Sequence, residues 1–190
     1  MSNATKGMSA IAKQAMLMPK ESLMTVKNRK QELNIGIPKE TLFQENRIAL
    51  IPEAVSVLVA NGHEVVLEAG AGAGSRYSDK DYADAGAKVV ADKTEVYQCP
   101  ILVKTAPPVE ADLPFLQMNQ TIISPVHLSA LKKELMEQLM AKKITALAFE
   151  NIKDENNNYP ILRSMGEIAG SAVMLIAGQY LSNFNQGKGV

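Results

Sequence analysis

A chain of 190 residues, 46% of them hydrophobic, carries apolar material for one α/β domain, or for one domain with an appendage. Twenty basic residues balance twenty acidic ones, so no net field draws the chain toward nucleic acid or anionic lipid. The single cysteine, Cys99, excludes an internal disulfide and a multi-cysteine metal centre, and no apolar run approaches the roughly 18 residues of a membrane span.

Residues 1–33 stand apart. Ile11, Ala15 and Met18 fall at helical spacing before Pro19 interrupts them, which suits a mobile arm or a docking helix. Lys13, Pro19, Lys20 and Glu21 break up any signal-peptide core, so a cytoplasmic protein is expected. From Asn34 strands and helices alternate. Ile35 to Ile37 reads as a strand ended by Pro38. Pro52 opens a helix to Asn61, with Val55, Leu58 and Val59 on one face and Gly62 as its stop. His63 to Glu68 is the next strand. Ser78, followed by early acids, caps a helix that Gly86 closes, and Ala87 to Val90 is a further strand. Ile101 to Val103 and Thr121 to Ser124 are apolar and β-branched. Ser129 to Lys143 reads as an amphipathic helix burying Leu131, Leu135, Leu139 and Met140. Ile144 to Phe149 is a strand, and Leu162 to Leu181 is a long helix rich in small residues. Such alternation predicts a single domain over 34–190, an α/β doubly wound parallel sheet of Rossmann-like or flavodoxin-like type.

The segment Gly70-Ala-Gly72-Ala-Gly74 raises the question of a pyrophosphate cradle. That use needs glycines where backbone meets phosphate, a helix N-terminus aimed at it, and an acid about 20 residues on. Asp92 is suitably placed, but the third glycine position holds Ser75 and the helix opens only at Ser78. The segment therefore reads as a structural turn.

Three polar residues carry more. Arg47 lies in ETLFQENRIALIPE, Lys104 ends the strand PILVK, and His127 follows the strand in TIISPVHLSA. Taken singly, each is ordinary: a solvated arginine, an edge charge, a polar residue at a strand end. Taken together they follow three different strands, and open α/β sheets bind ligands outside their strands' carboxyl ends.

The stretch from NIGIPKETLFQENRIALIPE through AGAGAGSRYSDKDYADAGAKVV resembles the N-terminal domain of the alanine dehydrogenase and pyridine-nucleotide transhydrogenase family. So do PVHLSA, ITALAFENI and LRSMGEIAG, and the resemblance runs from about Asn34 to Val190. It implies that NAD is held mainly by a second domain expected after Val190, and that the glycine segment belongs to the framework. It implies that Arg47 pairs with a substrate carboxylate and that His127 exchanges protons with the keto or imino group, which suits guanidinium and imidazole chemistry. Lys104 matches the first lysine of the family's K-V-K-E-P stretch, while Ala106 takes the place of the catalytic second one. Lys104 and Ala106, two apart on an extended segment, share a side, so Lys104 would serve from the neighbouring position. Met165 is expected beside the cleft, and Gly166 replaces the family's serine.

The implied activity is NAD-dependent, reversible oxidative deamination of L-alanine to pyruvate and ammonia. The implied partners are a small amino acid or 2-oxo acid and further copies of the chain, with no nucleic acid, no membrane segment and no metal. A transhydrogenase alpha-type subunit, a saccharopine-dehydrogenase-like enzyme and a non-catalytic binding or oligomerisation module are the alternatives. An isolated fragment is expected to be inactive. The long helix is expected to carry surface that one chain does not cover.

Overall fold

The structure is a computed structural model that describes residues 32–127 and 130–189. The arm expected at 1–33 lies outside the described residues except for Glu32 and Leu33. Six strands, β1 (Asn34–Ile37), β2 (Glu64–Glu68), β3 (Lys88–Val90), β4 (Ile101–Val103), β5 (Thr121–Ser124) and β6 (Thr145–Ala148), form one sheet. They are connected through helices α1 (Pro52–Ala60), α2 (Asp79–Asp84), α3 (Lys93–Tyr97) and α4 (Lys133–Ala141), and β6 leads into α5 (Pro160–Leu181).

Every neighbouring pair is parallel, in the order β3-β2-β1-β4-β5-β6. This is the Rossmann strand order, so the doubly wound expectation holds and narrows to one of its two forms. The alternation of β2 explains the two-sided burial. Val65 and Leu67 join a cluster with Val55 of α1 and Tyr82 of α2. Val66 points the other way, into a cluster with Val96 of α3, Leu102, Ile122 and Leu135 of α4. Cys99 lies in that second core, where burial and then the Glu64 carboxylate push its thiol up to about 11.

Local chemistry sets the helix starts. Ser78 caps α2 reciprocally: its Oγ accepts from Asp81 N–H, and Asp81 Oδ2 accepts from Ser78 N–H at 2.7 Å. Pro52 occupies the first turn of α1, where its missing donor costs nothing. Two expectations need correction. Helix α4 begins at Lys133 with Lys132 as its N-cap, and Ser129, the expected start of the helix, lies outside the described residues. Ahead of the helix, Ala130 N–H donates to His127 O at 2.7 Å. Met140 is 69% exposed, because one residue past Leu139 rotates about 100° off the buried stripe; Leu131 is only half-buried. Helix α3, five residues long, has no counterpart in the expected elements, being too short to show a period.

The C-terminal part differs from the rest. No residue of α5 is buried, and Ile168, Met174, Leu175 and Tyr180 are each more than 70% exposed. The expectation of uncovered surface on this helix is met. At 22 residues it is also long and apolar enough to cross a membrane by length and composition alone, unlike the short apolar runs read from the sequence. The Arg163–Glu167 pair interrupts the apolar run, and no charged residue follows from Ile168 to Leu181. One such helix does not establish a span, since the core helix of a soluble protein passes the same test.

Candidate active site

The strand order reverses between β1 and β4, and their carboxyl ends open a crevice there. A cleft of about 340 Å³ lies at this edge, lined by Arg47, Lys104, Thr105, Phe149, Ile161 and Met165 among others. Three of the four expected site residues thus share one cavity. His127 does not line it. That residue borders a separate hollow of about 410 Å³, walled by Pro108, Glu110, Leu131 and Lys132.

Arg47 sits on the loop between β1 and α1 with its side chain 58% exposed. Its guanidinium grips Glu45 in a fork, Nε to Oε1 at 2.8 Å and Nη2 to Oε2 at 2.7 Å, and its backbone N–H reaches the same carboxylate at 3.0 Å. These bonds hold the Glu45 carboxyl below its usual range and raise the guanidinium further. The Arg47 end of this pair is open to solvent while the Glu45 side chain is only 10% exposed, so a second carboxylate reaches the fork from the solvent side, against Glu45. The guanidinium fork thus already holds a carboxylate, that of Glu45.

Lys104 extends β4, donating its backbone N–H to Ile123 O at 2.9 Å. Its ammonium is 98% covered and donates to Asp112 Oδ2 at 2.8 Å, with Glu40 Oε2 at 3.5 Å. Asp112 also accepts from Tyr97 Oη at 2.6 Å and Val109 N–H at 3.1 Å. Burial alone would raise the Asp112 carboxyl, but the Lys104 charge and these donors hold it below its usual value. Burial, then Asp112, push the Tyr97 phenol well above its ordinary range. Glu40 Oε1 accepts from the backbone of Thr105 at 2.6 Å and Ala106 at 3.1 Å, while Glu40 Oε2 and Thr105 Oγ1 lack hydrogen-bond partners. Ala106 is buried, so its methyl fills protein interior where the family resemblance places a lysine. Space beside Gly166, where the resemblance places a serine, is open.

His127 is exposed and left-handed, at φ +43°, a conformation that non-glycine residues hold only when neighbours impose it. Glu150 supplies the imposition. Its Oε1 accepts from Val126 N–H at 2.8 Å and His127 N–H at 3.0 Å. Burial opposes ionisation of Glu150, but these donors and the His127 charge bring its carboxyl below the usual value. Sequence reasoning missed Glu150, Glu40 and Asp112, whose partners lie on other elements. Glu45, two residues before Arg47, was open to local reading.

The glycine segment does not fit a pyrophosphate. Gly70 N–H is spent on Asp79 Oδ1 at 2.7 Å, and the following helix has only six residues, with Asp79 and Asp81 in its first turn. Side-chain space at Gly72 is filled by Tyr82 and Tyr77, and at Gly74 by Asn46. At these two glycines the protein itself takes the room beside the backbone.

Residues 36–169, which include Arg47, Lys104, His127 and Met165, match the family described as "Alanine dehydrogenase/PNT, N-terminal domain". The chain belongs to this family. It is 33% identical over 158 residues to alanine dehydrogenase 2 of Staphylococcus aureus (strain USA300), and 35% identical over 158 to the alanine dehydrogenase of Staphylococcus haemolyticus (strain JCSC1435). Each match covers 83% of this chain and 42% of the relative. A solved L-alanine dehydrogenase superimposes with a TM-score of 0.79 at 37% identity, over 83% of this chain and 44% of that one. A transhydrogenase from Sinorhizobium meliloti gives 0.57 at 28% identity, over 62% of this chain and 35% of its own. The chain therefore spans less than half the length of these relatives.

Proposed function

We propose that this chain is the substrate-binding domain of an NAD-dependent amino-acid dehydrogenase that interconverts L-alanine with pyruvate and ammonia in the cytoplasm. The observation that carries the reading is the gathering of Arg47, Lys104 and Met165 in one cleft at the reversal of strand order. The glycine segment does not fit the dinucleotide, which the proposal assigns to a second domain of a longer protein. Within this chain Arg47 exchanges Glu45 for the substrate carboxylate, a planar fork against a planar acceptor. Lys104 keeps one donor on Asp112 and neutralises charge at the keto oxygen with another, which requires its covered ammonium to be opened toward the cleft. His127 moves the proton at that oxygen or its imino equivalent, which requires it to turn from its hollow toward the cleft. Helix α5, bare within the chain, packs against the rest of the protein or against a second copy.

The test is NAD reduction by the full-length protein with L-alanine against larger and acidic amino acids. Alanine-dependent turnover supports the reading, and hydride exchange between nucleotides without amino-acid oxidation replaces it with a transhydrogenase-type role. In the active enzyme, Arg47→Lys is expected to raise KM chiefly, and His127→Gln to lower kcat by about two to four orders of magnitude. The isolated 190-residue chain is expected to give no stoichiometric NAD binding by calorimetry.

A further inference from the structure

The glycine segment's own contacts suggest a use. Only Gly70, at φ +74°, needs glycine for its backbone angle; Gly72 and Gly74 have no left-handed torsion and owe their identity to what lies against them. A Cβ on Gly74 would stand 2.7 Å from Asn46 O and 2.9 Å from Asn46 Cα, too close to backbone for any rotamer change to relieve. The next residue completes the seat: Ser75 Oγ donates to Asn46 O at 2.8 Å. Asn46 lies between Glu45 and Arg47, whose side chains close on each other beside it. The far end of the same loop is tied as well. Tyr82 Oη donates to Leu50 O at 2.9 Å, and a Cβ on Gly72 would stand 2.6 Å from the Tyr82 ring. The loop bearing Arg47 is thus held before and after the arginine by the glycine segment and the helix behind it.

We propose that Gly74 and Ser75 are positioning residues for Arg47: they seat the Asn46 backbone and so fix the direction from which the guanidinium meets a ligand carboxylate. The claim about catalysis rests on the dehydrogenase reading above; the claim about Arg47 does not. A guanidinium on a long side chain gains little from a partner unless its backbone is fixed, because ordering it costs rotamer freedom. Gly74 and Ser75 fix it from another loop, at a close approach only glycine allows.

The experiment pairs Gly74→Ala with Ser75→Ala and Ser75→Thr. In the 190-residue chain, the nitrogen-15 resonance of the Arg47 Nε–H, set by its bond to Glu45, should shift in Gly74→Ala and less in Ser75→Ala, with Ser75→Thr restoring it. In the full-length enzyme, Gly74→Ala should raise KM for the amino acid by about tenfold with kcat within about twofold and KM for NAD unchanged. Ser75→Ala should raise it by about threefold, and Ser75→Thr should return it. If Gly74→Ala does not fold, the two serine variants decide. An unmoved Arg47 resonance in folded variants overturns the proposal, as does a parallel loss of kcat with unchanged KM. If the resonance moves but the wild-type protein oxidises no amino acid, the positioning stands and the dehydrogenase reading falls.

Discussion

Val65, Val66 and Leu67 of β2 are all buried, on both faces of the sheet, whereas Thr145, Ala146 and Leu147 of β6 are all exposed, as is most of α5. Both strands sit in the same parallel sheet, and parallel sheets are normally covered on both faces. Sequence alone does not separate them: each has apolar residues on a short strand before a helix. The difference lies in what packs on top. Around β2 the described residues supply α1, α2 and α3, while they leave β6 and α5 with little cover. The Arg47 cleft lies between the two regions, with walls from both: Lys104 from the covered part, Phe149, Ile161 and Met165 from the uncovered one.

The same chemistry placed in the two regions should behave differently, and the charge pairs give the largest contrast. Asp112→Asn leaves the covered Lys104 without its closest counter-charge and is expected to cost about 3–5 kcal/mol in urea denaturation. Arg163→Ala on α5 removes a pair whose side chains are 74% and 66% exposed, and should cost about 0.3–0.5 kcal/mol. Comparable losses would mean that the Lys104 site is wetter than its burial implies.

Apolar truncation comes next. Leu102→Ala in β4, fully buried, should cost about 2–5 kcal/mol. Leu175→Ala, 78% exposed on α5, should change the stability of the 190-residue chain by about 0.5 kcal/mol or less. In the full-length protein the second value should grow as α5 gains its cover. A large cost already in the 190-residue chain would show that α5 is covered there, and a strict monomer at high concentration in analytical ultracentrifugation would count against self-association through this helix.

Acid gives a smaller and graded effect. Asp112 is held below its ordinary value in the folded chain, so its contribution is complete above the unfolded carboxyl range, near 3.8, and is lost as pH falls through the lower folded value. Glu150 follows the same sign. Denaturation midpoints measured from pH 7 down to pH 3 should fall more steeply for the wild-type chain than for Asp112→Asn. Equal slopes would remove Asp112 from the acid response.

Much of the fold was legible because its signals are local. β-branched runs marked the strands, Ser78 and Gly86 marked the ends of α2, and the position of Arg47 and Lys104 after strands placed them at one edge. The rest depends on contacts between distant residues. Lys104 meets Asp112 across a loop with no period, His127 is held by Glu150 from beyond β6, and Gly74 has no visible purpose until Asn46 lies against it. The sequence placed His127 at the correct edge, but which hollow it borders depends on a left-handed backbone angle that no spacing rule announces.

The covered core also holds Cys99, whose thiol is displaced to about 11. At neutral pH it is therefore both protonated and shielded, so alkylating reagents must wait for the chain to open. As the single thiol in the sequence, it is a built-in clock: under mild denaturant, its labelling rate counts openings of the core beside β4, with no engineered probe.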